Sequence, residues 1–174
     1  INGAATIAAT GTGGSLINGG AVGGIGRGGN ATLSAFGGNV DLVAGLVMDT
    51  QGLGGLGPSG GAGFGGDVNI SAVANGRIRS PNTTIVNASG IGREANGTGQ
   101  NGGAGTGGNI IVRALGGLLG PGTIELGFST FSALGVGGVG GPGEGPPSVV
   151  APGNGGDAQG GDIELFADAN GGIL

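Results

Sequence analysis

A phrase that occurs four times constrains this chain more than any other feature. It reads GGNATLSA at 28–35, GGDVNISA at 65–72, GGNIIVRA at 107–114 and GGDIELFA at 160–167, with a shorter echo, GGNVDLVA, at 37–44. The four copies start 37, 42 and 53 residues apart. Repetition at such a period marks stacked arrays, whose units bury their apolar faces only against one another.

Side chains alternate between the two faces of a strand. Ala31, Val68, Ile110 and Ile163 share one column. Leu33, Ile70, Val112 and Leu165 share a second, the core column, and Ala35, Ala72, Ala114 and Ala167 a third. All three are apolar and are expected to face inward. The columns between them, Thr32/Asn69/Ile111/Glu164 and Ser34/Ser71/Arg113/Phe166, are mixed, as outward positions are.

Each copy continues through a short apolar step (Val40, Ile78) into a third strand, LVMDTQG at 46–52 or TTIVNASG at 83–90. A glycine-rich excursion follows at 53–66, 91–108 and 136–161. The spacing predicts coils over 30–66, 67–108 and 109–161. The fold class expected is all-β: a right-handed parallel β-helix, or β-solenoid, of four coils. About 24 residues make one three-stranded turn, for which ordering the backbone costs roughly 1–2 kcal/mol per residue. A coil offers about six to eight inward aliphatics, each contributing roughly 1.5–3 kcal/mol when buried. One coil is therefore not self-sufficient, and stacking is what stabilises it.

The ends of the sequence match each other. Residues 162–174 begin a fourth coil and stop midway, while 1–29 look like the missing remainder. Joined tail to head they align without a gap on 67–108: Asp162 on Asp67, Asn170 on Asn75, Ile173 on Ile78, Ala9 on Ala88 and Gly11 on Gly90. The chain is thus expected to be one period of a longer array, with Leu174 continuing into Ile1 and 162–174 completed by 1–29 across the seam. An open end of this kind predicts head-to-tail assembly into a filament. The sequence opens on Ile1 rather than on an initiator Met. The sequence reads as a segment of something longer, any targeting signal lying outside it.

Glycine supplies 52 of the 174 residues, against a usual share of ~7%. There is no strict G-X-Y period, so collagen is excluded. Runs such as GGVGGPGEGPP at 137–147 fit polyproline-II-like extended segments. Their unpaired amides can bond sideways, so the excursions are expected to form a second ordered layer along the solenoid.

Composition removes most chemistry. There is no Cys and no His, which excludes thiolate metal sites, disulfides and Ser-His-Asp or Cys-His nucleophiles. Without Lys, the glycine-rich strings make no phosphate-binding P-loop. Ten acids against five Arg give a net charge of −5, a poor surface for nucleic acid. No apolar run approaches the ~20 residues of a membrane helix, so membrane insertion of this segment is not expected.

Asn30, Asp67, Asn109 and Asp162 open the four strands and are read as a turn-stabilising ladder, because Asn and Asp bond neighbouring backbone at turns. No metal or cofactor is expected, although GGAGFGGDV at 60–68 and GNGGDAQGGDIEL at 153–165 faintly echo calcium nonapeptides. The acids Asp157, Asp162 and Glu164 are the one dense carboxylate group, read as a solvated face. Five N-x-S/T sequons, at Asn30, Asn69, Asn82, Asn87 and Asn96, are candidate glycosylation sites. An ice-binding surface would need regular Thr ranks, which the Thr32 column lacks.

Strands of the form GG[ND]φxφxA, a Gly/Asn turn, a further strand and a GGxGG tract resemble the repeat regions of filamentous-haemagglutinin-like large exoproteins. They are also similar to autotransporter passenger domains, and GNGGDAQGG at 153–161 is similar to mycobacterial glycine-rich repeats. The resemblance implies a right-handed β-helix, an extracellular or cell-surface place, and adhesion or matrix roles with surface or carbohydrate ligands. It brings no catalytic residues. The expected role is a non-enzymatic structural repeat whose main partner is itself. The rival is a β-helical carbohydrate-binding or carbohydrate-cleaving protein.

Overall fold

The computed structural model describes residues 2–16, 22–145, 150–168 and 170–174. Ile1, on which the seam reading ends, and Pro146 and Pro147 of the 137–147 run lie outside the described residues. Among the described residues there is no helix, and the named strands all pair in parallel. This arrangement of short parallel strands is compatible with a β-solenoid.

Each of the three four-stranded sheets takes one strand from each repeat. The first contains Ala31–Phe36, Val68–Val73, Ile110–Leu115 and Ile163–Ala167 in sequence order. Its register is unbroken: Leu33 faces Ile70, Ile70 faces Val112 and Val112 faces Leu165. Neighbouring repeats are thus one strand spacing apart, about 4.8 Å. Ile70 and Val112 are fully buried, Leu33 is half-buried and Leu165 is 53% exposed. The gradient follows position in the stack, since Leu165 has a neighbouring strand on one side only.

A seven-stranded sheet carries the second and third strands together. They merge because the first repeat runs Asn39–Asp49 as one long strand. It bends at Gly45, whose φ of 112° suits glycine. Its first part pairs with Arg77–Ser80, which pairs in turn with Thr123–Leu126 and that with Gly172–Ile173. Its second part pairs with Thr84–Asn87 and with Asn2–Ala8, and Thr84–Asn87 also pairs with Ser129–Ser132. Leu42, Leu46, Met48, Ile78, Val86 and Ile124 meet the first sheet's inward columns in one buried core. Two polar side chains inside it satisfy each other: Thr84 Oγ1 bonds Ser80 Oγ at 2.9 Å.

The small insertion of the third repeat is a tight turn, with Gly117 and Gly120 exchanging backbone hydrogen bonds. It leans over the corner of the second repeat, where Ala74 and Asn75 hold positive φ of 50° and 67°. No room remains for a side chain at Gly117, whose Cβ would come within 2.9 Å of the Ala74 methyl.

The glycine-rich excursions are paired arms. Outgoing arms form a sheet of Gly11–Thr12, Gly52–Leu53, Gly90–Ile91 and Gly135–Val136, and returning arms one of Gly26–Arg27, Gly63–Phe64, Gly105–Thr106 and Ala158–Gln159. Farther out, bonds between repeats fall every third residue. Gly92 and Ala95 donate to Val136 and Val139, and Gly60 and Gly63 donate to Asn101 and Ala104. Three residues is the period of a polyproline-II helix, which has no internal hydrogen bonds and so must bond outward. The two arm sheets touch backbone to backbone: a Cβ at Gly52 would strike the Phe64 carbonyl, and one at Gly90 the Thr106 carbonyl.

Candidate functional site

The most regular polar feature is the line of residues that opens the first sheet. Asn30 Oδ1 accepts from the amide of Asp67 at 3.3 Å, Asp67 Oδ1 from Asn109 at 3.0 Å, and Asn109 Oδ1 from Asp162 at 3.3 Å. All four residues are exposed. Every bond runs from the amide of a later repeat to the side chain of the earlier one. Amide and carboxylate also alternate along the line. Two carboxylates are therefore never one strand spacing apart; they are about two spacings apart, roughly 10 Å and near the Debye length at moderate salt.

A second directional line runs through the arms. The amide of Gly24 donates to Gly14 O, Gly55 to Gly24, Gly61 to Gly55, Arg93 to Gly61, Gly103 to Arg93, Gly138 to Gly103 and Gly156 to Gly138, all at 2.8–3.0 Å. This staircase alternates between outgoing and returning arms. Glycine permits it, because any side chain at the inner positions would separate the two backbones. At the neck of each arm another backbone bond closes the loop: Gly29 to Ala9, Gly66 to Thr50, Gly108 to Ala88 and Gly161 to Ala133. Thr50, fully buried, adds its hydroxyl to the Gly66 carbonyl at 2.8 Å.

The charged side chains tie repeats together. Arg77 Nη2 lies 2.6 Å from Glu125 Oε1, Arg79 Nε 3.3 Å from Glu125 Oε2, and Arg113 Nη2 3.4 Å from Glu164 Oε2. Arg27 lies over the Phe64 ring, 4.4 Å from its centroid. Each pair joins one repeat to the next. The dense acidic group read from the sequence is split: Asp162 joins the ladder, Glu164 pairs with Arg113, and Asp157 stands exposed beside the returning strand Ala158–Gln159. Among the described residues, no group of three Asp or Glu stands close enough to hold a metal ion. The Arg77–Arg79–Glu125 cluster escaped the sequence reading. Its signal was present, since Arg79 and Glu125 stand in register in consecutive repeats.

The sequons differ in environment. Asn30, Asn69, Asn82 and Asn96 are exposed. Asn82 Nδ2 donates to the Val43 carbonyl. Asn87 is half-buried and engaged twice: its Nδ2 bonds Asp49 Oδ1 at 3.1 Å and its Oδ1 accepts from Ser89 N at 3.1 Å.

The two ends of the stack are stepped and complementary. At one end Ile163–Ala167 and Gly172–Ile173 supply the first and second strands of a layer. At the other, Asn2–Ala8, Gly11–Thr12 and Gly26–Arg27 supply a third strand and two arms. Ala5 occupies the column of Leu46 and Thr84, Gly11 that of Gly52 and Gly90, and Gly26 that of Gly63 and Gly105. Together the two partial layers hold each strand position once.

No protein-family model, curated protein or solved structure matches this chain.

Proposed function

We propose that this chain is a structural repeat unit of an extracellular fibre or cell-surface adhesin. In this reading it is a right-handed parallel β-helix of four coils with polyproline-II-like arms. Its ends stack head to tail, through tandem copies in one polypeptide or through separate subunits. The partner is the same sequence, and surface or carbohydrate ligands would bind the finished fibre rather than a pocket in the unit.

The observation that carries the reading is the complementarity of the two partial layers. Strand edges with unpaired backbone groups invite addition of another strand, and a contact that does not close makes a filament. The directional ladder and staircase support it, because both can extend indefinitely without changing their chemistry. The use of arginines as ties between repeats supports a structural role over a catalytic one.

Images of the assembled protein test the proposal. Four strand spacings of about 4.8 Å predict an axial repeat near 19 Å. A monodisperse monomer at high concentration, with a two-copy fusion whose halves fold independently, would overturn it. Sustained release of reducing ends from polysaccharides by the purified chain would favour the enzymatic rival.

A further inference from the structure

We infer that the join between copies is polar, and that Asp162 of one copy and Asn30 of the next are its recognition pair. The inference rests on the end-to-end stacking proposed above and adds what makes that stacking one-directional.

Both directional lines stop at the stack ends with opposite chemistry. The ladder finishes on the Asp162 carboxylate, an acceptor, and begins on Asn30, whose amide receives no partner among the described residues. The staircase finishes on the carbonyl of Gly156 and begins at Gly14, whose amide is likewise without a partner among the described residues. Along these two lines, one end of the stack therefore offers acceptors and the other offers donors. Head-to-tail stacking places Asp162 Oδ1 against the Asn30 amide and Gly156 O against the Gly14 amide. Each repeats a geometry already made inside the chain: three times for the ladder, and three times for the staircase step from a returning arm to the next outgoing arm.

The sequence of the ladder fits this join. Asn30, Asp67, Asn109, Asp162 alternates, and an even number of steps means that the next Asn30 continues the alternation. Tail-to-tail stacking instead leaves the Asp162 carboxylate and the Gly156 carbonyl without the Asn30 and Gly14 amides that the opposite end supplies. Head-to-head stacking leaves the Asn30 and Gly14 amides without those acceptors. Unpaired polar groups of this kind are costly when they are covered.

The chain contains no cysteine, which permits a direct test by cross-linking. Thr32 and Glu164 are exposed and share one column, three strand steps apart within a copy. Across the proposed join they become neighbours. Two single variants, Thr32→Cys and Glu164→Cys, are prepared and treated with a short thiol cross-linker, separately and mixed. The expected result is a covalent dimer in the mixture at least tenfold above either variant alone. Adding Asp162→Ala to the Glu164→Cys chain is expected to lower that yield about tenfold, and Asp162→Asn to restore it, because an amide oxygen accepts the same bond.

Dimers of Thr32→Cys alone or Glu164→Cys alone, as abundant as in the mixture, would leave stacking intact and overturn its polarity. Equal yields with Asp162→Ala and Asp162→Asn would overturn the recognition pair. Absence of cross-links in all samples, together with a monomeric wild type, would defeat the stacking reading itself and this inference with it.

Discussion

The amide of Gly103 donates to the carbonyl of Arg93 at 2.8 Å, joining the two arms of one excursion, and the amide of Gly138 then donates to Gly103 at the same distance. Backbone bonded to backbone at this separation leaves no space for a side chain between the arms. The arms are therefore held by packing that has no side-chain component at their inner faces.

Adding one methyl there is expected to be severe. A Cβ at Gly63 would strike the Ile91 carbonyl and lie 2.6 Å from the Gly52 carbonyl oxygen. Both obstacles are main chain within paired sheets and cannot rotate away. Gly63→Ala is expected to cost about 3 kcal/mol, the upper part of the range for overpacking. At Gly172 nothing lies within 4 Å of a built Cβ. Gly172→Ala is expected to change stability by less than about 0.5 kcal/mol. Denaturant midpoints of the two variants check the contrast.

Position along the stack should set the cost of core truncation. Ile70 is fully buried, so Ile70→Ala is expected to cost about 2–5 kcal/mol. Leu165 stands in the same column but is 53% exposed, and Leu165→Ala is expected to cost less than about 1 kcal/mol in the isolated chain. If copies stack, the Leu165 variant should instead raise the concentration needed for assembly. Thermal unfolding and sedimentation separate the two effects.

Thr50 closes the neck of the excursion at 53–66. Replacing it by Val keeps the shape and removes a buried donor to the Gly66 carbonyl. Thr50→Val is expected to cost about 1–3 kcal/mol. The amides of Gly63 and Gly65 should lose exchange protection before those of Val68 and Ile70, and hydrogen exchange at residue resolution reads this order.

The ion pairs should matter little alone. Arg77, Arg79 and Glu125 are all partly exposed. Glu125→Gln is expected to cost no more than about 1 kcal/mol, and less in high salt. A salt titration of wild type and variant measures the difference.

Much of the first sheet is legible in the sequence. Alternation fixes which residues share a face, and the Gly-Gly-Asn/Asp marker fixes the register, so the column of Leu33, Ile70, Val112 and Leu165 follows from spacing alone. The merging of the second and third strands was less legible. It depends on Gly45 at positive φ, and one glycine among 52 carries no distinguishing mark. The staircase was legible only as an allowance for sideways bonding, because backbone bonds leave no side-chain signature. The sequon at Asn87 was indistinguishable from the others, since its engagement with Asp49 comes from a neighbour 38 residues away.

The arms differ in reach, and that difference gives the molecule a profile. Excursions at 53–66 and 91–108 are followed by a longer one at 136–161. Its outer part is closed by a backbone bond from Glu144 to Val150 and by the close approach of Gly140 to Gly153. The shorter arm at 91–108 lies against it, with Gly99 donating to the Pro142 carbonyl and Thr98 Oγ1 to Glu144 Oε1. Stacked copies would therefore carry a crest once per period, about every 19 Å, separated by lower ground. A ridged rod of this form can mesh with a neighbouring rod at fixed offsets, like racks of the same pitch. Sequence drift and proteolytic nicking should then concentrate on this longest excursion.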